Sequence, residues 1–163
     1  MPLRPILWVR VTTSISDFMV SDHRRCDDAL ARAAQAGTAG DWSAASAAFE
    51  TFHAAITRHI AAEEHVLFPA FERATGRSSL GGPTEIMRVE HEQLRELFDW
   101  MTRVLASREA DLYRELHEAL FALLLQHNVK EERMMYPMLD RALAEQAGEL
   151  VGRCRELGVL SAR

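Results

Sequence analysis

The chain has 163 residues, 48% hydrophobic and 26% charged, with a formal net charge of −5 and a pI near 5.8. That length suits one domain with a real core, and the composition is that of an ordinary globular protein. The negative balance and the absence of any Lys/Arg-rich run argue against a nucleic-acid-binding face and against an anionic membrane as partner.

Residues 1–13 read as an N-terminal arm, since Pro2 and Pro5 favour an extended chain. Its apolar run Ile6-Leu7-Trp8-Val9 stops at Arg10, too short for a signal segment or a membrane span. From about residue 15 to 145 the apolar spacing stays near 3.6 and no sustained alternation appears, which predicts an all-α fold. The first helix starts at a Ser14 or Ser16 cap and runs to Ala36, burying Phe18, Met19, Cys26, Leu30 and Ala33. Gly37 and Gly40 bracket the turn that ends it. Asp41 caps a second helix with Ala45, Phe49, Phe52, Ile56, His59, Glu63 and Leu67 inward, continuing toward Phe71. After a Ser/Gly-rich loop at residues 76–82, Pro83 opens a third helix through Met87, His91, Leu94, Phe98 and Met101 to about Leu105. Asp111 is the expected cap of a fourth, which buries Leu116, Leu120, Leu123, Leu124, His127, Glu131, Met134 and Met138. The expected architecture is an up-down-up-down four-helix bundle over residues 14–146, with a short C-terminal helix and tail over residues 147–163. Cys26 and Cys154 form no C-x-x-C pattern, so reduced thiols and a cytoplasmic location are expected.

The strongest signal is a repeat. His23, His59 and Glu63 recur as His91, His127 and Glu131, each 68 positions further on. The flanks repeat as well, Glu64, Phe68 and Pro69 answering Glu132, Tyr136 and Pro137. Two copies of one helix hairpin, each carrying half of a metal site, is the simplest reading. Residues four apart lie one turn above each other, so His59 and Glu63 share a helix face, as do His127 and Glu131. All lie in apolar stripes, where a carboxylate without a partner costs several kcal/mol. A pair of cations supplies the compensating charge, with imidazoles as terminal ligands and carboxylates free to bridge.

The strings His59-Ile-Ala-Ala-Glu63-Glu64, Glu90-His91-Glu92 and His127-Asn-Val-Lys-Glu131-Glu132, with Leu67-Phe68-Pro69 and Tyr136-Pro137, resemble the hemerythrin-like HHE cation-binding domain over about residues 14–142. The resemblance implies a non-haem centre of two oxo- or hydroxo-bridged iron ions, with Glu63 and Glu131 bridging. One iron would be served by His91 and His127 and the other by His23 and His59; zinc also fits the ligand types. It further implies binding of a diatomic gas, nitric oxide or oxygen, in sensing or stress protection, extending to delivery of iron to damaged centres. A di-iron oxidase or peroxidase-like enzyme and a metal-stabilised helical interaction module are the alternatives. Oxygen carriers of the family place a second histidine four residues after that on the third helix, where this chain has Arg95, which cannot ligate metal. Plain oxygen transport is therefore disfavoured.

Arg95 corresponds to Asp27 in the repeat, and the two are expected to pair across the pseudo-two-fold axis, unless each points to solvent or pairs locally. Glu64 and Glu132 rotate about 100° from the bridging positions and are read as helix-surface ion-pair partners, with a supporting role behind the ligands as the other option. His53, His65 and His117 are expected off the metal face, and Pro69 and Pro137 to kink or end their helices. The methionines read as core filler. Trp100 marks a packing patch, a dimer contact or plain monomer surface, and nothing else in the sequence argues for an oligomer.

Overall fold

A computed structural model describes residues 14–77 and 80–160; the N-terminal arm and the last three residues lie outside that range. Helix α1 is Ile15–Thr38, capped by Ser14, whose hydroxyl accepts from the Asp17 amide at 2.9 Å. The Asp140 carboxylate also accepts from the Ile15 amide at 2.8 Å, tying this end to the fourth arm of the bundle. The helix passes through Gly37 and turns at Gly40, whose φ of 74° lies in the left-handed region that glycine adopts without strain. Asp41 then caps α2, Trp42–Ala62, by accepting from the Ala44 amide at 3.0 Å.

The second arm does not stop at its proline. A π-helical turn, Glu63–Leu67, joins α2 to α3, Phe68–Thr75, with the Phe68 amide donating to the Glu63 carbonyl five residues back. The fourth arm repeats the device: α5, Ala110–Lys130, a π turn at Glu131–Met135, and α6, Tyr136–Ala142, with the Tyr136 amide on the Glu131 carbonyl. A proline ring clashes with the carbonyl four residues before it, and a widened turn just upstream gives that carbonyl room. Each arm thus continues past Pro69 or Pro137, so of the two expectations, a kinked helix or an ended one, the end is not seen.

The third arm, α4, is Pro83–Ser107, with proline in its first turn as expected. α5 begins at Ala110 without a side-chain cap; Asp111 lies inside the first turn and pairs with Arg114 at 2.7 Å, so it is not the cap. A 3₁₀ turn, Ala144–Gln146, leads to α7, Ala147–Glu156, which packs on α1, on α2 and on the first π turn. α1 neighbours α2 and α5, and α4 neighbours α2 and α5, giving the square cross-section of an up-down-up-down bundle. Among the described residues, no helix is long and apolar enough to cross a membrane.

The interior divides into two apolar clusters. One, at the α7 end, is built around Phe18, Met19, Leu67, Phe68, Met87, Met135 and Leu139. The other holds Leu30, Phe49, Phe52, Leu94, Phe98, Met101, Leu120 and Leu124. His23, His59, His91 and His127 fall in sequence between members of these clusters, so the polar layer is enclosed by apolar packing on both sides. The π turn adds one residue to the register: Met135 and Tyr136 are fully buried, whereas Met134 is 43% exposed and Met138 only partly buried. That corrects the expected inward positions of Met134 and Met138, which assumed an unbroken 3.6-residue period.

Candidate metal centre

Six side chains meet at mid-bundle. His23, His59, Glu63, His91, His127 and Glu131 are each at most 3% exposed. α1 and α4 contribute one histidine each, while α2 and α5 contribute a histidine followed, one turn on, by the glutamate that opens a π turn. Ligand-type atoms of Glu63, His91, His127 and Glu131 lie within 4.8 Å of one another, and so do those of His23, His59 and Glu131.

Each glutamate divides its two oxygens between the two histidine pairs. Glu63 turns Oε2 to His91 Nε2 at 3.2 Å and Oε1 to His59 Nε2 at 3.5 Å. Glu131 turns Oε1 to His127 Nε2 at 3.1 Å and Oε2 to His23 Nε2 at 3.2 Å. A carboxylate spanning two donor sets in this way is placed to bridge two cations.

Every histidine is oriented from behind by a carboxylate on Nδ1. Asp22 holds His59 at 2.9 Å, Glu90 holds His127 at 2.9 Å, Glu64 holds His91 at 2.8 Å and Glu132 holds His23 at 2.9 Å. All four Nε2 atoms thereby face the centre, the arrangement that fixes tautomer and basicity in metal-binding histidines. Three of the orienting carboxylates are anchored in turn. Fully buried Asp22 also meets Arg25 at 2.6 Å and the Leu160 amide at 3.1 Å, Glu64 takes Arg95 at 2.7 Å, and Glu90 takes Lys130.

Of the two options for Glu64 and Glu132, both take the supporting role behind the histidines, and Glu64 pairs with Arg95 as well. The sequence reading does not single out Asp22 or Glu90 for such a role. A signal was available, because Asp22 and Glu90 are 68 residues apart and each immediately precedes the isolated histidine of its hairpin. The expected Asp27–Arg95 pair is not formed. Arg95 turns to Glu64 on the second arm and to Glu92 on its own helix, and Asp27 lies exposed beside a surface hollow with His117 and Phe121. Glu64 is the nearer anion, one π-turn residue from Glu63, and a guanidinium takes the carboxylate within reach. His65 is exposed, His53 packs between Phe49 and Phe98 with ring centroids at 5.9 and 5.4 Å, and His117 sits half-buried beside Tyr113. None of the three reaches the centre.

The electrostatics favour cations. Burial disfavours the charged form of His59, but Glu63 and the hydrogen bond to Asp22 outweigh it and raise the imidazole to about 10. His91 is likewise opposed by burial and lifted to about 11 by Glu131, Glu63 and Glu64. Burial raises the Glu131 carboxyl, yet the attraction of His127 and the close approach of the His127, His23 and His91 imidazoles hold it well below the usual range. A field that keeps protons on buried imidazoles also holds metal ions. Glu63 Oε2, His91 Nε2 and Glu131 Oε1 are buried and make no hydrogen bond of good geometry, although Glu63 Oε2 stands 3.2 Å from His91 Nε2 and Glu131 Oε1 3.1 Å from His127 Nε2. Poorly satisfied polar atoms at full burial are costly and uncommon, and these three belong to the Glu63, His91, His127 and Glu131 group, whose ligand-type atoms lie within 4.8 Å of one another. A donor set of imidazole nitrogens and carboxylate oxygens suits iron or zinc there.

The centre's other half carries a residue the sequence reading did not place there. The Tyr136 hydroxyl donates at 2.7 Å to Glu63 Oε1, lies 2.9 Å from Glu131 Oε2, and is 3.0 and 3.1 Å from Nε2 of His23 and His59. The π turn brings it in, since residue 136 stands five after Glu131. Its repeat counterpart Phe68 instead stacks on His91, with ring centroids 6.1 Å apart and planes 7° from parallel.

The family model described as the hemerythrin HHE cation binding domain matches residues 14–139. No curated protein and no solved structure matches the chain.

Proposed function

This chain belongs to the hemerythrin HHE cation-binding domain family, and on that premise we propose that it holds two iron ions and binds nitric oxide or oxygen in sensing or stress protection. His91 and His127 would hold one ion, His23 and His59 the other, with Glu63 and Glu131 shared between them. Bound iron supplies the redox-active, ligand-accepting centre. The protein's own residues enclose it, aim four imidazoles at it through Asp22, Glu90, Glu64 and Glu132, and limit what can enter.

The observation that carries this reading is complete enclosure. No centre residue exceeds 3% exposure, and apolar clusters lie on both sides. A diatomic molecule can pass through small packing fluctuations, whereas an organic substrate would need the bundle to open. Four imidazoles with two carboxylates also make a less anionic donor set than the glutamate-rich ferritin-like sites.

The test is anaerobic iron loading, metal analysis and titration with nitric oxide and oxygen, followed by absorption spectroscopy. Two irons per chain and a spectrum that changes with either gas support the proposal. Turnover of peroxide would favour a catalyst. A centre that binds only zinc, or that is inert to both gases, would overturn the proposal and leave a metal-stabilised module.

A further inference from the structure

The two halves of the centre are built by a repeat that places equivalent histidines, glutamates and orienting carboxylates in both, but where one half has Phe68 against the centre the other has Tyr136, and both are buried. In the His91/His127 half the Phe68 ring stacks on His91, with centroids 6.1 Å apart, and brings no donor atom. In the His23/His59 half, the Tyr136 hydroxyl stands within 3.1 Å of all four donor atoms, two imidazole nitrogens and two carboxylate oxygens. A hydroxyl has one proton to donate and two lone pairs. Four inward donors crowded on a single oxygen exceed what the hydroxyl needs for hydrogen bonding, and a cation drawn to those donors meets the phenol oxygen.

Resting on the two-iron reading, we propose that Tyr136 is a protein ligand, as phenolate, of the iron held by His23 and His59. On binding, the O–H bond is replaced by an oxygen–iron bond and the proton is released to solvent; no electron is transferred. The His23/His59 iron then has five protein donor atoms: two imidazole nitrogens, one oxygen each from Glu63 and Glu131, and the phenolate. The His91/His127 iron has four, because Phe68 offers none and Arg95 is committed to Glu64 and Glu92. A small exogenous ligand is therefore directed to the His91/His127 iron, beside the Phe68 ring.

The experiment is visible absorption and resonance Raman spectroscopy of the full chain loaded with ferric iron, as wild type and as Tyr136→Phe. The expected result is a phenolate-to-iron charge-transfer band with enhanced tyrosinate ring modes in the wild type, absent from the variant. The chain has only two tyrosines. Tyr113→Phe should keep the band, because the Tyr113 hydroxyl donates to the Ala33 carbonyl, away from the centre. Tyr136→Phe should also weaken binding of one iron equivalent by at least the roughly 10–100-fold seen for lost outer-shell partners. Phe68 shows that phenylalanine is accommodated at the equivalent position, and circular dichroism checks the fold. Two irons per wild-type chain without tyrosinate modes would overturn the ligand assignment and leave the two-iron reading standing. Failure of the wild type to take up iron would overturn both.

Discussion

Replacing Glu63 and Glu131 together by Gln removes the two side chains whose four oxygens reach all four central imidazoles, at 3.1 to 3.5 Å for the pairs described above. A neutral amide presents one oxygen and one NH₂ group, so it cannot offer an anionic oxygen to each of two cations. A metal that binds only the folded chain stabilises it by about 4.1 kcal/mol at a thousand times its dissociation constant. For a chain of this size each kcal/mol moves the melting temperature by about 2–4 °C, so one filled site should raise it by about 8–16 °C. The second site adds a similar increment. The assay is thermal unfolding by circular dichroism with and without anaerobic ferrous iron, alongside metal analysis. Reading the metal-induced shift rather than the melting temperature itself cancels any change in intrinsic stability. The double variant should show a shift near zero. Two irons retained per chain, or an undiminished shift, would refute the bridging assignment.

Gly37→Ala should destabilise the protein by about 1–2 kcal/mol in urea denaturation despite alanine's better helix propensity, because a Cβ there would fall 2.1 Å from Cε1 of Tyr113. Gly148→Ala in α7, where a Cβ meets nothing within 4 Å, should be neutral or stabilising by up to about 1 kcal/mol; equal effects at both sites would contradict the packing argument. The pH dependence of stability should carry a Glu64 contribution. Burial opposes its charge, but His91 and Arg95 hold the carboxyl at about 2 against an ordinary 4.5. A depressed carboxylate stabilises the fold above its unfolded value, and that stability is lost as pH falls from about 4.5 toward about 2. After discounting for screening this is about 2 kcal/mol. Glu64→Gln should therefore cost more at pH 7 than at pH 3, and an equal cost at both would refute the linkage. Cys26 and Cys154 are buried, and burial pushes both thiols up, Cys154 to about 12. A thiol reagent should label neither in the native protein and both after unfolding; rapid native labelling would contradict the burial.

Much of the centre was legible before any coordinates because its residues are costly unless they serve a purpose. Four histidines and two glutamates on apolar helical stripes, repeated at one spacing, demand compensating charge wherever the helices pack. The same periodicity determined the all-α fold, the Ser14 and Asp41 caps and the first turn at Pro83, all of which depend on residues a few positions apart. Tertiary structure decided what depends on register between arms. That Glu64 and Glu132 stand behind histidines on α4 and α1, and that Arg95 takes Glu64 rather than Asp27, follows from which helices are neighbours. The π turns belong to this second class, since Pro69 and Pro137 announced a disturbance without revealing its form. By widening one turn after each glutamate they shift the inward face by one residue, expose Met134, and carry the Tyr136 hydroxyl among the donors of the His23/His59 half.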